Sequence, residues 1–149
     1  VADSLLEDPH GGYFFKLEID NAEVAHIMEV GGIKTSAQVF EIEEGGANGF
    51  KHKRVGQSTW ENLTIRYATS SSRFLQRWRD DFLKNPLDDA LWKSGSIVMI
   101  NNDGQAVRRF HFVRAWPVAW EGPSLDSGSS GLAMESLELA HEGIRVSDR

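Results

Sequence analysis

From Tyr13 to Asp20 (YFFKLEID) apolar and polar residues alternate. Phe15, Leu17 and Ile19 fall on one side of an extended chain, and Lys16, Glu18 and Asp20 on the other. That period of two predicts a strand with one buried face. Asn21-Ala22-Glu23 turns the chain into a second apolar-rich strand, Val24–Val30, which Gly31-Gly32 punctuates. Lys34–Glu43 reads as a third strand, with Phe40 and Ile42 on one face and Val39, Glu41 and Glu43 on the other. Asn62–Ala68 alternates again, setting Leu63, Ile65 and Tyr67 against Thr64 and Arg66.

The C-terminal part repeats the theme. Ile97–Ile100 is continuously apolar, and Asn101-Asn102-Asp103-Gly104 is a hairpin signal. Val107–Trp116 returns antiparallel, with Phe110 and Phe112 opposite Arg109 and His111. Pro117 cannot donate to a ladder and so marks an edge or a bend. Trp116, Val118 and Trp120 keep one parity, which carries the strand past that bend. After the polar Ser/Gly loop, Leu132 and Met134 sit on even positions but Leu137 and Leu139 on odd ones. The change of phase predicts a β-bulge near Glu135-Ser136.

One segment has helical period. Across residues 73–84, Phe74, Leu75, Trp78 and Phe82 share a face, while Arg73, Gln76, Arg77, Asp80 and Asp81 fall outside it. The run Thr69, Ser70, Ser71, Ser72 is expected to supply the N-cap, and Asn85-Pro86 the stop. Leu87–Lys93 adds a short turn bearing Leu91 and Trp92.

Two stretches break the pattern. Residues 1–12 are acidic, then glycine-bearing, and read as an N-terminal arm whose Leu5 and Leu6 either dock on a neighbour or fray. Residues 43–58 form a long protruding loop or hairpin, with Asn48-Gly49 near the tip. It opens acidic (Glu43, Glu44, following Glu41) and closes basic (Lys51, His52, Lys53, Arg54). Opposite charges on one projection suit docking onto another copy of the same chain; a solvated hairpin is the plain alternative.

The expected architecture is mainly β: an antiparallel sandwich or barrel with one amphipathic helix packed on it. At 149 residues, without an internal repeat or long linker, the chain reads as a single domain. There are no cysteines, which removes disulfides, thiolate metal sites and cysteine nucleophiles together. No apolar run is long enough to span a bilayer, and the first residues lack a basic-then-apolar signal, so any release from the cell is expected to bypass signal-peptide export. The formal charge of −6 argues against a grip on nucleic acid and against sequence-specific binding to it.

No catalytic motif emerges. His10, His26, His52, His111 and His141 show no metal-ligand spacing. The pairs Glu43-Glu44, Asp80-Asp81 and Asp88-Asp89 suggest carboxylate chemistry. Strand neighbours point to opposite faces, however, and the helical pair lies on the wet side. The GSSG run at 128–131 is not a nucleophile elbow, and Gly45-Gly46 and Gly49 lack the lysine and helix of a phosphate loop. Asn62-Leu63-Thr64 matches a glycosylation acceptor but falls in a strand. Neither an enzyme nor a cofactor-binding protein is expected. Trp60, Trp78, Trp92, Trp116 and Trp120 keep a monomeric β-sandwich that binds carbohydrate open as an alternative, provided several rings are exposed on one face.

An ordered set of segments resembles the phage tail-tube proteins and the inner-tube subunits of contractile injection systems. The set is FKLEID at 15–20, MEVGG at 28–32, EEGGAN at 43–48, Asn62-Leu63-Thr64 with its strand and the helix bearing Trp78. It continues with the Asp103-Gly104 hairpin, Ala115-Trp116-Pro117 with Trp120, and ESLELAHEG at 135–143. The resemblance implies a structural subunit that closes into hexameric rings whose strands share a continuous barrel around a channel, the rings stacking into a tube. It implies as partners the chain itself, a sheath protein, baseplate and tube-terminating proteins, and cargo in the lumen, either protein effectors or DNA. It also implies assembly in a bacterial cytoplasm and a place in a virion tail or a released injection particle. In relatives the hairpin reaches an adjacent ring, so Glu43, Glu44, Lys51, Lys53 and Arg54 become candidate inter-ring contacts. Glu18 and Glu138, on polar strand faces, become candidate lumen residues; an acidic or neutral lumen would let phosphate slide.

Overall fold

Leu17 and Ile19 are fully buried while Lys16 and Glu18 between and beside them are half-buried, so the first alternating run lays one face into a core. The computed structural model describes residues 12–42, 52–69, 72–124, 126–128 and 131–148. The strands are β1 (Phe14–Ile19), β2 (Ala22–Gly31), β3 (Thr35–Ile42), β4 (His52–Trp60) and β5 (Leu63–Ala68), then β6 (Lys93–Ile100), β7 (Ala106–Glu121), β8 (Met134–Ala140) and β9 (Ile144–Ser147). Helix α1 (Phe74–Lys84) and a 3₁₀ turn at Asp89–Leu91 lie between β5 and β6.

All pairings are antiparallel. The main sheet runs β6-β1-β2-β5-β8-β7-β9, and β6 also pairs with β7. That extra pairing closes the sheet into a barrel in the order β1, β2, β5, β8, β7, β6, removing most of the unpaired edge a flat sheet would expose. Inside it Leu17, Ile19, Ile27, Leu63, Ile65, Ile97, Phe112, Leu137 and Leu139 form one contiguous cluster. Each is at most 5% exposed, so nothing the size of a ligand occupies the barrel: it is a packed core.

Gly95 is opposite Phe112 in the β6–β7 register, and a Cβ there would meet the Phe112 ring at 2.7 Å. The aromatic ring lies over the space the glycine leaves, an arrangement no side chain at 95 would permit.

The strand β7 is long because it changes partners. Its first half lies between β6 and β9, and its second half pairs with β8. Two irregularities make this possible. One extra residue is inserted between Phe112 and Ala115, where Arg114 takes φ 45°. A second shift falls between Pro117 and Ala119. The bulge expected near Glu135-Ser136 is therefore on the opposite strand: β8 pairs with β5 residue for residue from Met134 to Leu139. Leu132, which created the apparent change of phase, lies outside β8 and is exposed. Pro117 sits inside the strand, fully buried, not at a terminus.

Helix α1 buries Leu75, Trp78 and Phe82, as its period predicts. Leu75 and Trp78 join the barrel core, and Phe82 stacks on Trp116 at 5.1 Å. Of the serine-rich run expected to cap it, Ser70 and Ser71 lie outside the described residues. Arg73 occupies the N-cap position without a side-chain bond, and Ser72 Oγ accepts a long bond, 3.4 Å, from the Phe74 amide. The Trp78 indole N–H instead donates to the Leu91 carbonyl at 2.6 Å, tying the helix to the 3₁₀ turn.

Candidate assembly surfaces

Among the described residues the strands β3 and β4 pair only with each other. Every residue of β3 is exposed, and in β4 only Gly56 and Trp60 are not. This hairpin is longer than the 43–58 projection expected from composition: it begins at Thr35 and returns to Trp60. The third strand thus belongs to the projection and not to the barrel wall. Its apolar residues explain why periodicity alone misplaced it. Val39, Phe40 and Val55 are 59%, 57% and 83% exposed, so the hairpin carries an apolar surface that nothing among the described residues covers.

Its root is held firmly. Gly32 has φ 87°, and a Cβ there would collide with the Asn62 carbonyl oxygen, so only glycine admits the crossing of the two hairpin legs. The Glu61 amide donates to the Lys34 carbonyl at 3.0 Å, and Thr35 Oγ1 donates to the Thr59 carbonyl at 3.0 Å. His141 adds a tie from the β8–β9 turn. The Gly143 amide donates to His141 Nδ1 at 3.1 Å, which leaves the proton on Nε2, and Nε2 donates to the Glu61 carbonyl at 2.9 Å. The His141 ring also sits 6.0 Å from Trp60. The Leu-Ala-His-Glu-Gly ending is therefore an anchor for the hairpin, a role invisible to local pattern because 80 residues separate His141 from Glu61.

Of the candidate hairpin contacts, Glu43, Glu44 and Lys51 lie outside the described residues. Lys53 and Arg54 are exposed on β4, opposite Glu41 and Phe40 respectively. Acidic and basic flanks thus face one another within one hairpin.

Glu18 and Glu138 both project from the outer, polar side of the barrel, but on different walls. Glu18 is on β1 and Glu138 on β8, and these strands are three places apart around a ring of six. They are the first and last strands of the run β1-β2-β5-β8. Their surroundings differ as well. Arg109 Nη1 donates to Glu18 Oε2 at 2.8 Å, and Lys16 Nζ lies 3.3 Å from Glu18 Oε1. Burial raises the Glu18 pKa, but the hydrogen bonds and charges of Arg109 and Lys16 outweigh it and hold the carboxyl below its ordinary value. Glu138 accepts one bond from Asn62 Nδ2 at 3.0 Å, on a wall whose other outward residues include Thr64 and the exposed pair Arg66–Glu29 at 3.2 Å.

The remaining polar groups are structural in geometry. His111 bridges Ser96 Oγ at 2.7 Å and Ser147 Oγ at 3.0 Å, joining β6, β7 and β9. Tyr67 OH accepts from the Trp120 indole at 3.0 Å; burial raises its pKa far above the ordinary value and the Glu135 carboxylate adds to the effect. Among the described residues no three His, Asp or Glu side chains are grouped to hold a metal. No described helix is long and apolar enough to cross a membrane. The five tryptophans are buried or half-buried, so the exposed aromatic platform that the carbohydrate reading requires is not formed.

Comparison with known proteins gives a consistent result. The family model described as T4-like virus tail tube protein gp19 matches residues 12–145. Among solved structures, a chain of the PVC sheath-tube complex, an extracellular contractile injection system in its extended state, superposes with TM-score 0.80. It is 22% identical, over 97% of this chain and 95% of that one. A chain of the anti-feeding prophage (AFP) baseplate gives TM-score 0.75 at 20% identity, covering 98% of each. Hcp1 from Flavobacterium johnsoniae gives TM-score 0.59 at 17% identity, over 91% of this chain and 96% of that one. At these identities the likeness is one of fold. No curated protein matches by sequence.

Proposed function

The chain belongs to the T4-like virus tail tube protein gp19 family, and on that premise we propose that it is the inner-tube subunit of a contractile injection system or phage tail. Six copies close into a ring, rings stack, and the channel conducts protein effectors or DNA. The observation that carries this reading is the β3–β4 hairpin. It stands off a closed, self-sufficient barrel with Val39, Phe40 and Val55 uncovered, a surface with a use only when a second subunit lies against it.

The same geometry supports a scheme of assembly. The hairpin's charged stretch, with Glu43, Glu44, Lys51, Lys53 and Arg54, meets the adjacent ring. The β2–β5–β8 wall faces the channel, and Glu138 rather than Glu18 belongs to the lumen. Glu18 is neutralised by Arg109 and Lys16, whereas the Glu138 wall presents short polar and oppositely charged groups to water. A lining of that kind offers cargo no net grip. A sheath protein outside, baseplate and terminating proteins at the ends, and assembly in a bacterial cytoplasm complete the proposal.

Negative-stain electron microscopy of the purified, concentrated protein tests it: rings or tubes are expected, and a strict monomer would overturn the reading. Reversing Lys51, Lys53 and Arg54 to Glu is expected to abolish stacking while circular dichroism stays unchanged. Tubes of normal length from that variant would remove the hairpin from the inter-ring contact.

A further inference from the structure

The β3–β4 hairpin has two unlike faces, because cross-strand partners share a face and successive residues alternate. Val39, Val55, Glu41 and Lys53 lie on one. Phe40, Ile42 and Arg54 lie on the other, with no carboxylate beside them among the described residues. Gly56 shares this second face, and a Cβ there would meet the Phe40 ring at 2.6 Å. The glycine lets the ring lie flat across β4. Even so, Phe40 stays 57% exposed, and Arg54 forms no ion pair among the described residues. An aromatic ring and an unpaired guanidinium are thus offered side by side.

The barrel carries a seat of matching chemistry. A groove of about 580 Å³ lies between β2, the last residues of β5 and the start of α1. Val24, Met28, Leu75 and Trp120 supply its apolar lining. Met28 is the extra residue where β2 shifts register against β5, and the bulge leaves it 57% exposed. The Trp120 ring is fixed by the bond from its N–H to Tyr67. Glu135 lines the groove beside Tyr67 and forms no ion pair among the described residues. Glu23 and Glu135 are set against a single guanidinium, Arg73, on the helix side, so one further cation evens the charge of the lining.

We propose that the Phe40–Arg54 face of one copy's hairpin seats in this groove of a second copy, with Phe40 against Val24, Met28 and Leu75 and Arg54 toward Glu135. The proposal deepens the stacking reading and rests on it. The structure itself shows that the donor is another copy, because Phe40 is exposed and not seated in its own subunit. The hairpin is rooted where Gly32 meets Asn62, before the first residue of β5. The groove lies at Tyr67, Ala68 and Thr69, the other end of that strand, about 16 Å away at ~3.3 Å per residue. A knob at one end and its seat at the other make a head-to-tail contact, which repeats from copy to copy.

The chain has no cysteine, so introduced thiols report alone. Two full-length single-cysteine proteins are mixed before assembly, one carrying a size tag, and oxidised. Gln38→Cys lies on the Phe40 face and Met28→Cys in the groove. The disulfide-linked heterodimer is quantified on gels. Gln38→Cys mixed with Leu87→Cys, a 94% exposed position beyond α1, sets the background. On the order of tenfold more heterodimer than background is expected from the raised local concentration of the two thiols. Adding Phe40→Asp to the Gln38→Cys chain should return the yield to background, and adding Arg54→Glu should lower it severalfold. Neither residue belongs to the core cluster, so the fold survives both changes. Heterodimer at background level, or a yield indifferent to Phe40→Asp, would overturn the proposal. Electron microscopy of the same samples separates the two claims. Tubes without the cross-link sink the seat and leave the tube reading standing; a parent protein that forms no rings sinks the tube reading itself.

Discussion

Arg109 on β7 reaches over β6 to Glu18 on β1, with Nη1 2.8 Å from Oε2, although 91 residues separate them in the chain. Between the two strands lies Val98, in register with both Lys16 and Arg109 and completely buried on the barrel's outward side. The charged pair is thus a clasp across three strands at the place where the barrel closes.

Glu18→Gln is expected to destabilise the monomer by about 1–2 kcal/mol at pH 7, since the bond is charge-assisted and partly shielded from water. The pH dependence has a definite sign. The folded carboxyl is held below its unfolded value, so its stabilisation is complete above the unfolded pKa and is lost as pH falls through the folded one. Urea unfolding of parent and variant should therefore differ at pH 7 and converge as the pH falls through the folded value of Glu18. A gap that stays constant with pH would show that the carboxylate's charge is irrelevant.

Tyr67→Phe removes the acceptor of the Trp120 indole N–H inside the barrel mouth. A loss of about 1–2 kcal/mol is expected from leaving a half-buried donor unpaired, with a change in tryptophan fluorescence of the folded state. Unchanged stability would mean that water replaces the hydroxyl without cost.

His141→Ala cuts the tie between the β8–β9 turn and Glu61 while leaving the core untouched. Hydrogen exchange of the amides in β3 and β4 should accelerate severalfold, with the barrel amides unaffected. Equal acceleration in both would mean that His141 supports the whole fold and not the hairpin root.

Gly32→Ala meets two obstacles at once, a φ of 87° and the Asn62 carbonyl. The expected result is a folded barrel with a displaced hairpin: a loss of about 1–3 kcal/mol and no tubes by electron microscopy. Normal tubes from this variant would show that the hairpin root tolerates the shift.

Much of this molecule was readable beforehand. The alternation in Phe15–Ile19 and Leu63–Tyr67, and the helical face Leu75–Trp78–Phe82, each reappear as buried positions because one-sided burial imposes period two on a strand and period 3.6 on a helix. The apolar pattern in Val39, Phe40 and Ile42 has the same appearance but a different meaning. A strand facing its own core and a strand awaiting a neighbour obey one local rule, so the sequence cannot distinguish them. The supposed bulge in β8 failed for a related reason. Parity was counted through Leu132, a loop residue, while the actual irregularities lie on β7, at the polar Arg114 and at Val118, which keeps the parity of Trp116 and Trp120 and so hides the shift.

The sequence by itself determined which residues are apolar, where the chain turns and that no catalytic constellation lies within any local stretch, because these depend on neighbours one to four residues apart. Only the tertiary structure decided that β6 closes the barrel on β7, that Glu18 and Glu138 stand on separate walls, and that His141 holds the hairpin. Those relationships join residues 18 to 109, 62 to 138 and 61 to 141. They are set by barrel closure, a global condition on strand order and register that no window of sequence contains.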